Sequence, residues 1–311
     1  MNHRFFLTIV VLCLAFNTTQ QPVSLSMIVT DKNNKSVNAI RKDQIRVFED
    51  KVEQQILSIE PDERLVDYGI VIDGSGSFRS VLPSAIEAGM LIVKNKRPDD
   101  EIFIERFISS DKIETFQDFT ADGAALIKAL NGFYVEKGQS AVIDGLYMAV
   151  NQIAEHNKAS SDRRKVVIII TDGEDRASYY KKEDLIKLLH ETGVQVFVLG
   201  LVSELDNQGT FTRPGARDRA EKLLKSVAEE SGGRLFFPKD KDQLIDSAAQ
   251  IVMDLHAQFR IKYQSTGDAS KNGFHKVDVK FVSTNGEKLD LLVSPGYFVG
   301  PRTPAKKEKK P

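Results

Sequence analysis

Ile70-Val71-Ile72-Asp73-Gly74-Ser75-Gly76-Ser77 reads as a buried strand that runs into an aspartate and then into a glycine-spaced loop bearing two serines. A related pattern stands downstream, where Val167-Ile168-Ile169-Ile170-Thr171-Asp172-Gly173-Glu174-Asp175 again ends a β-branched apolar run on an acidic turn. Further apolar runs lie at Tyr68–Ile72, Ile102–Phe107, Val166–Ile170 and Val194–Leu201. Between them come apolar residues at helical spacing: Leu82/Ile86/Met90/Val93, Val142/Leu146/Val150/Ile153, Leu185/Leu188/Leu189 and Ala220/Leu223/Leu224/Val227. Short β-rich runs separated by amphipathic helices predict an α/β fold, a doubly wound and mostly parallel sheet with helices on both faces. Ile113–Phe119 follows the second run too closely for a helical crossover, so it is expected as an antiparallel strand at a sheet edge. Gly232-Gly233 ends a helix, Leu235-Phe236-Phe237 gives a last short strand, and a helix over Leu244–Phe259 closes the unit.

In an open α/β sheet, ligands bind beyond the carboxyl ends of the strands. If the two decisive strands are neighbours, Asp73 and Asp172 converge on one patch, where paired carboxylates repel unless a cation lies between them. Ser75 and Ser77 add hydroxyl oxygens, and Gly74 and Gly76 let the loop fold tightly. Aspartates with hydroxyls, and neither sulfur nor imidazole, form a hard donor set for magnesium or manganese ahead of calcium.

Outward from this unit, Val23, Leu25, Met27 and Val29 alternate as in a half-buried strand, and Ile45–Phe48 with Gln55–Ser58 reads as a hairpin across Glu49–Glu53. On the other side Ile261–Gln264, Val277–Val282 and Leu289–Val293 return to strands. Neither flank is large enough to bury a core alone. Residues 22–62 and 260–301 are therefore expected to pair into a small β-sandwich into which an α/β unit at 64–259 is inserted. Residues 1–21, with Arg4 before the apolar Phe5–Phe16, read as a signal peptide or retained anchor, implying a secreted, periplasmic or envelope location. Residues 302–311 read as a basic disordered tail.

Composition removes several classes. The chain has 311 residues with 43 basic and 44 acidic side chains, a net charge of −1 that offers no general field for nucleic acid. Cys13 is the sole cysteine, which excludes disulfide scaffolds and thiolate metal sites, and the five histidines show no pair at zinc-ligand spacing. No apolar run after the leader is long enough to cross a bilayer.

The stretch Asp73-x-Ser75-x-Ser77, together with Asp172 in Thr171-Asp172-Gly173-Glu174, resembles the von Willebrand factor type A family, the domain shared with integrin inserted domains. That family holds a metal ion on Asp-x-Ser-x-Ser, a threonine and a later aspartate, its metal-ion-dependent adhesion site. The resemblance implies that Asp73, Ser75, Ser77 and Asp172 are ligands. It places the middle element at Gly138-Gln139-Ser140-Ala141-Val142, where Ser140 stands in for threonine. Thr120 is the other candidate, and reads also as the N-cap of a helix over Ala121–Asn131. The flanks, from Val29-Thr30-Asp31-Lys32 through Arg46-Val47-Phe48-Glu49-Asp50, and Ser294-Pro295-Gly296-Tyr297-Phe298, resemble bacterial von Willebrand factor A-related proteins of acidobacterial type.

The resemblance implies binding rather than turnover: an exported adhesion or scaffolding module whose magnesium accepts an Asp or Glu carboxylate from a protein partner. Gly74, Gly76, Glu174, Phe211 and Arg213 are the candidate partner-contacting rim. The alternatives are a metal-stabilised structural envelope protein without a regulated ligand, and a metal-dependent hydrolase. Against hydrolysis, Ser75 stands where a dehalogenase-type phosphatase needs a second acid, and neither serine sits in Gly-x-Ser-x-Gly.

Overall fold

The structure is a computed structural model that describes residues 22–156, 162–205, 215–267, 272–283 and 286–301. The leader, the basic tail, Phe211 and Arg213 lie outside the described residues. The chain opens with β1 (Val23–Thr30), β2 (Ile45–Glu49) and β3 (Val52–Pro61). The α/β unit follows: β4 (Val66–Asp73), α1 (Leu82–Asn95), β5 (Glu101–Ser109), β6 (Lys112–Thr120), α2 (Gly123–Asn131), α3 (Val142–Glu155), β7 (Arg164–Thr171), α4 (Lys182–Thr192), β8 (Gln195–Gly200), α5 (Ala216–Ser231), β9 (Leu235–Phe236) and α6 (Lys241–His256). Strands β10 (Phe259–Gln264), β11 (Gly273–Phe281), β12 (Asp290–Val293) and β13 (Gly296–Val299) complete it.

The central sheet has the order β6-β5-β4-β7-β8-β9 and is parallel except for β6, which pairs antiparallel with β5 at the edge. Every residue of β4 is buried because both faces are covered. Ile70, Ile72, Ile104, Ile168 and Ile170 pack toward α1, α2 and α6, whereas Val71, Phe103, Phe107, Val167 and Ile169 pack toward α3, α4 and α5. Each such side chain contributes about 1.5–3 kcal/mol on burial, which makes this double-sided core the main stabilising element. Burial on both sides is also why the sequence shows continuous apolar runs here in place of alternation.

The flanks pair with each other as one antiparallel sheet of seven strands, in the order β12-β1-β10-β3-β2-β11-β13. Only Ser294 and Pro295 separate β12 from β13, yet these strands pair at opposite ends of that order. The chain thus spans the seam, and the sheet curls into a half-barrel where two stacked sheets were expected. Ile45, Val47, Ile56, Ile261, Tyr263 and Val277 fill its interior. Asp50 and Lys51, at φ 47° and 72°, make a two-residue hairpin turn of left-handed type between β2 and β3.

Two boundaries differ from the sequence reading. Asp122, whose side chain accepts from the backbone of Ala124 and Ala125, caps α2, while Thr120 remains in β6 opposite Ile102. Helix α6 ends at His256, and Phe259 opens β10 between Met27 and Pro61 because its ring is drawn into the half-barrel core. Asp62 N donates to Gln258 O at 2.8 Å, joining the two linkers beneath the amino end of β4. The half-barrel therefore attaches at the amino ends of the central strands. Asp73 lies at the other end of this strand of eight residues, about 25 Å away.

Candidate metal centre

Strands β4 and β7 are parallel neighbours with Ile72 opposite Ile170, so Asp73 is level with Thr171 and Asp172 emerges beside it. Asp73 is wholly buried. Its Oδ1 accepts from Ser75 N at 2.9 Å, and its Oδ2 accepts from Thr171 Oγ1 at 2.8 Å and from Ser140 Oγ at 3.2 Å. Asp172 accepts from Glu174 N at 2.9 Å and from Ser77 Oγ at 2.9 Å. The Ser75 and Ser77 hydroxyls stand 3.1 Å apart. Asp73, Ser75, Ser77, Ser140 and Asp172 thus form one hydrogen-bonded string drawn from three loops.

Local sequence explains how the loops close. A side chain at Gly74 would meet Arg106 Cδ at 2.7 Å, so only glycine lets the first loop lie against that buried arginine. Gly74, expected at the rim, is accordingly buried and presents no surface, whereas Gly76 is exposed. Gly173 takes φ +77°, the left-handed turn that carries the chain away from Asp172. Ser140 precedes α3, and its carbonyl accepts from Arg176 N at 2.8 Å, which links the second and third loops. Asp175 accepts from Ile143 N at 3.1 Å in the first turn of α3 and so positions the helix behind Ser140. Thr120 pairs with Ile102 near the amino end of β5, at the opposite edge from Asp73, whose register partner is Phe107.

The electrostatics point to a missing positive charge. Burial, and next the charge of Asp172, push the Asp73 carboxyl up to about 6. Burial raises Asp172 as well, with Glu174 adding to the effect. Among the described residues no lysine or arginine forms an ion pair with either carboxylate; Arg176 is paired with Glu174 at 2.7 Å. The string opens onto a pocket of about 170 Å³ lined by Ser75, Ser77 and Ser140, with Lys137, Glu174 and Arg176 around it. Three hydroxyls facing a small cavity, with two buried carboxylates hydrogen-bonded behind them, fit a hard divalent ion, with these oxygens as the available donors. The sequence reading passed over Thr171, although it directly precedes Asp172; its role becomes visible only when the β4–β7 register aims its hydroxyl at Asp73.

Residues 67–250 match the von Willebrand factor type A domain. Among solved structures, a von Willebrand factor type A protein from Catenulispora acidiphila has a TM-score of 0.49 at 13% identity, covering 82% of this chain and 75% of that one. An aerotolerance-related membrane protein from Bacteroides fragilis has a TM-score of 0.47 at 17% identity, covering 60% of this chain and 98% of that one. Proximal thread matrix protein 1 from the mussel byssus, with a zinc-occupied MIDAS motif, has a TM-score of 0.47 at 20% identity, covering 68% and 50%. No curated protein matches the chain.

Proposed function

Because the chain belongs to the von Willebrand factor type A domain family, matched over more than half its length, we propose that it is a metal-dependent protein-binding module. In this reading Asp73, Ser75, Ser77, Ser140 and Asp172 hold a magnesium ion, and manganese can replace it. The ion supplies an open coordination position for an Asp or Glu carboxylate of the partner. Thr171 fixes the Asp73 carboxylate from behind, as outer partners of metal ligands do. Gly76 and Glu174 lie beside the opening, with Lys137 and Arg176 as cationic neighbours for an acidic group. The apolar leader supports export, so the module acts in the envelope or outside the cell.

One observation carries this reading: a buried aspartate pair, with no ion-paired lysine or arginine among the described residues, lies behind a serine-lined pocket. Pull-downs with and without magnesium test the reading. Capture of a protein that requires magnesium and is lost in Asp73→Ala supports it; thermal stabilisation by magnesium without any capture assigns the ion a structural role instead.

A further inference from the structure

The half-barrel contains a second group of ligating side chains, remote from the site above. Glu49 ends β2 and His275 lies on β11, with Val277 opposite Glu49 in the register, so His275 projects level with the Asp50-Lys51 turn. Glu49 is 2% exposed and His275 7%. His275 Nδ1 stands 3.6 Å from Glu49 Oε1 and 3.3 Å from Asp50 Oδ2, and one ligand atom from each of the three falls within a 4.8 Å span. Around a tetrahedral ion with bonds of about 2.0–2.2 Å, neighbouring donor atoms stand roughly 3.3–3.6 Å apart. The two separations from His275 are thus those of ligands around an ion, longer than ordinary hydrogen bonds.

The surroundings are built for such a charge. Among the described residues no lysine or arginine pairs with the buried Glu49. Its carboxylate is fixed by Tyr263 Oη and Ser265 Oγ, each donating at 2.8 Å. The Tyr297 ring stacks on His275 with centroids 5.3 Å apart. Asp50 is held in place by Lys276 N, which donates to its Oδ1 at 3.1 Å and leaves Oδ2 toward the imidazole. Hydroxyls orienting a carboxylate and packing that fixes an imidazole are the outer-shell supports that metal ligands use.

We infer that Glu49, Asp50 and His275 form a second divalent-metal site, specific for a zinc-type ion. One imidazole with two carboxylates is a borderline donor set that suits zinc and disfavours magnesium, which prefers all-oxygen ligands. The site is independent of the first: it lies in a different sheet and shares no residue with it.

The test uses the full chain without a histidine tag, carrying Asp73→Ala so that the first site is silent, and zinc as the probe. Calorimetry is expected to show one zinc ion per chain, with cobalt giving the visible spectrum of a low-coordinate site. Adding His275→Gln or Asp50→Asn should weaken zinc binding about tenfold or more with the far-ultraviolet circular dichroism unchanged. Asp50 is the safer position because it is exposed, whereas replacing buried Glu49 threatens the half-barrel itself. Absence of zinc from the Asp73→Ala chain overturns the inference, as does equal binding by the Asp50→Asn and His275→Gln variants; the three side chains are then a structural polar cluster only. Magnesium binding by the unmodified chain has no bearing on either result.

Discussion

Asp73 and Asp254 are both fully buried aspartates of the same α/β unit, and they solve the problem of a buried charge in opposite ways. Asp254, on α6, receives Arg234 on both oxygens at 2.8 and 2.7 Å, with Gln250 Nε2 at 2.8 Å and the Ser36 hydroxyl completing its shell. Arg234 also donates to Asn34 O, so this cluster ties α6 to the loop after β1. Asp73 has hydroxyl and amide donors, and the charge acting on it from Asp172 is that of another carboxylate. One aspartate carries its cation within the chain; the other has none among the described residues, and the proposal is that it borrows one. The first arrangement is a joint, and the second is the proposed binding site.

This contrast is easiest to break through stability. Asp254→Ala strands Arg234 in the interior and should cost about 3–5 kcal/mol in denaturant unfolding, with or without magnesium. A loss below about 1 kcal/mol would mean that the Asp254 cluster holds nothing together.

The pH response sharpens the same contrast. Asp73 titrates above its ordinary value, so its stabilising contribution in the metal-free protein is complete below about pH 4 and is lost as pH rises through about 6. An ion that replaces the proton reverses that loss. Magnesium should therefore raise the melting temperature more at about pH 7.5 than at about pH 5, by a margin that disappears in Asp73→Asn. An equal increment at both pH values would separate the ion from this carboxylate.

The loops give the smaller effects. Ser140→Ala should weaken magnesium about tenfold, roughly 1.4 kcal/mol, whereas Ser140→Thr, which keeps the hydroxyl, should retain it. Thr120→Ala, at the far edge of the sheet, should leave affinity unchanged in the same titration. A reversed order would place the middle element of the site at Thr120.

Much of this was legible in the sequence, for a physical reason. The strand before Asp73 and the strand before Asp172 are continuous apolar runs because both faces of the central sheet are covered, and such runs announce themselves locally. The edge strand β6 followed from the short spacing after β5. What stayed hidden depends on register and on distant pairing. Thr171 acquires its role only through alignment with Asp73 across β4 and β7. The curling of the flanks rests on a strand broken at Ser294-Pro295 that pairs with β1 before the break and with β11 after it, which no local period can reveal. Asp122 displaced Thr120 as the cap of α2 because two residues able to cap flank Ala121, and the turn geometry chose between them. Glu49 and His275 meet only because β2 and β11 are neighbours in the half-barrel.

The central claim is that Asp73 and Asp172 share one borrowed ion. Calorimetric titration of magnesium into the intact chain and into Asp73→Ala, at about pH 7.5, measures it directly. One magnesium ion is expected per intact chain and none in the variant, with both proteins folded before metal is added. Undiminished magnesium affinity in Asp73→Ala, or none in the intact chain at millimolar concentration, would contradict it.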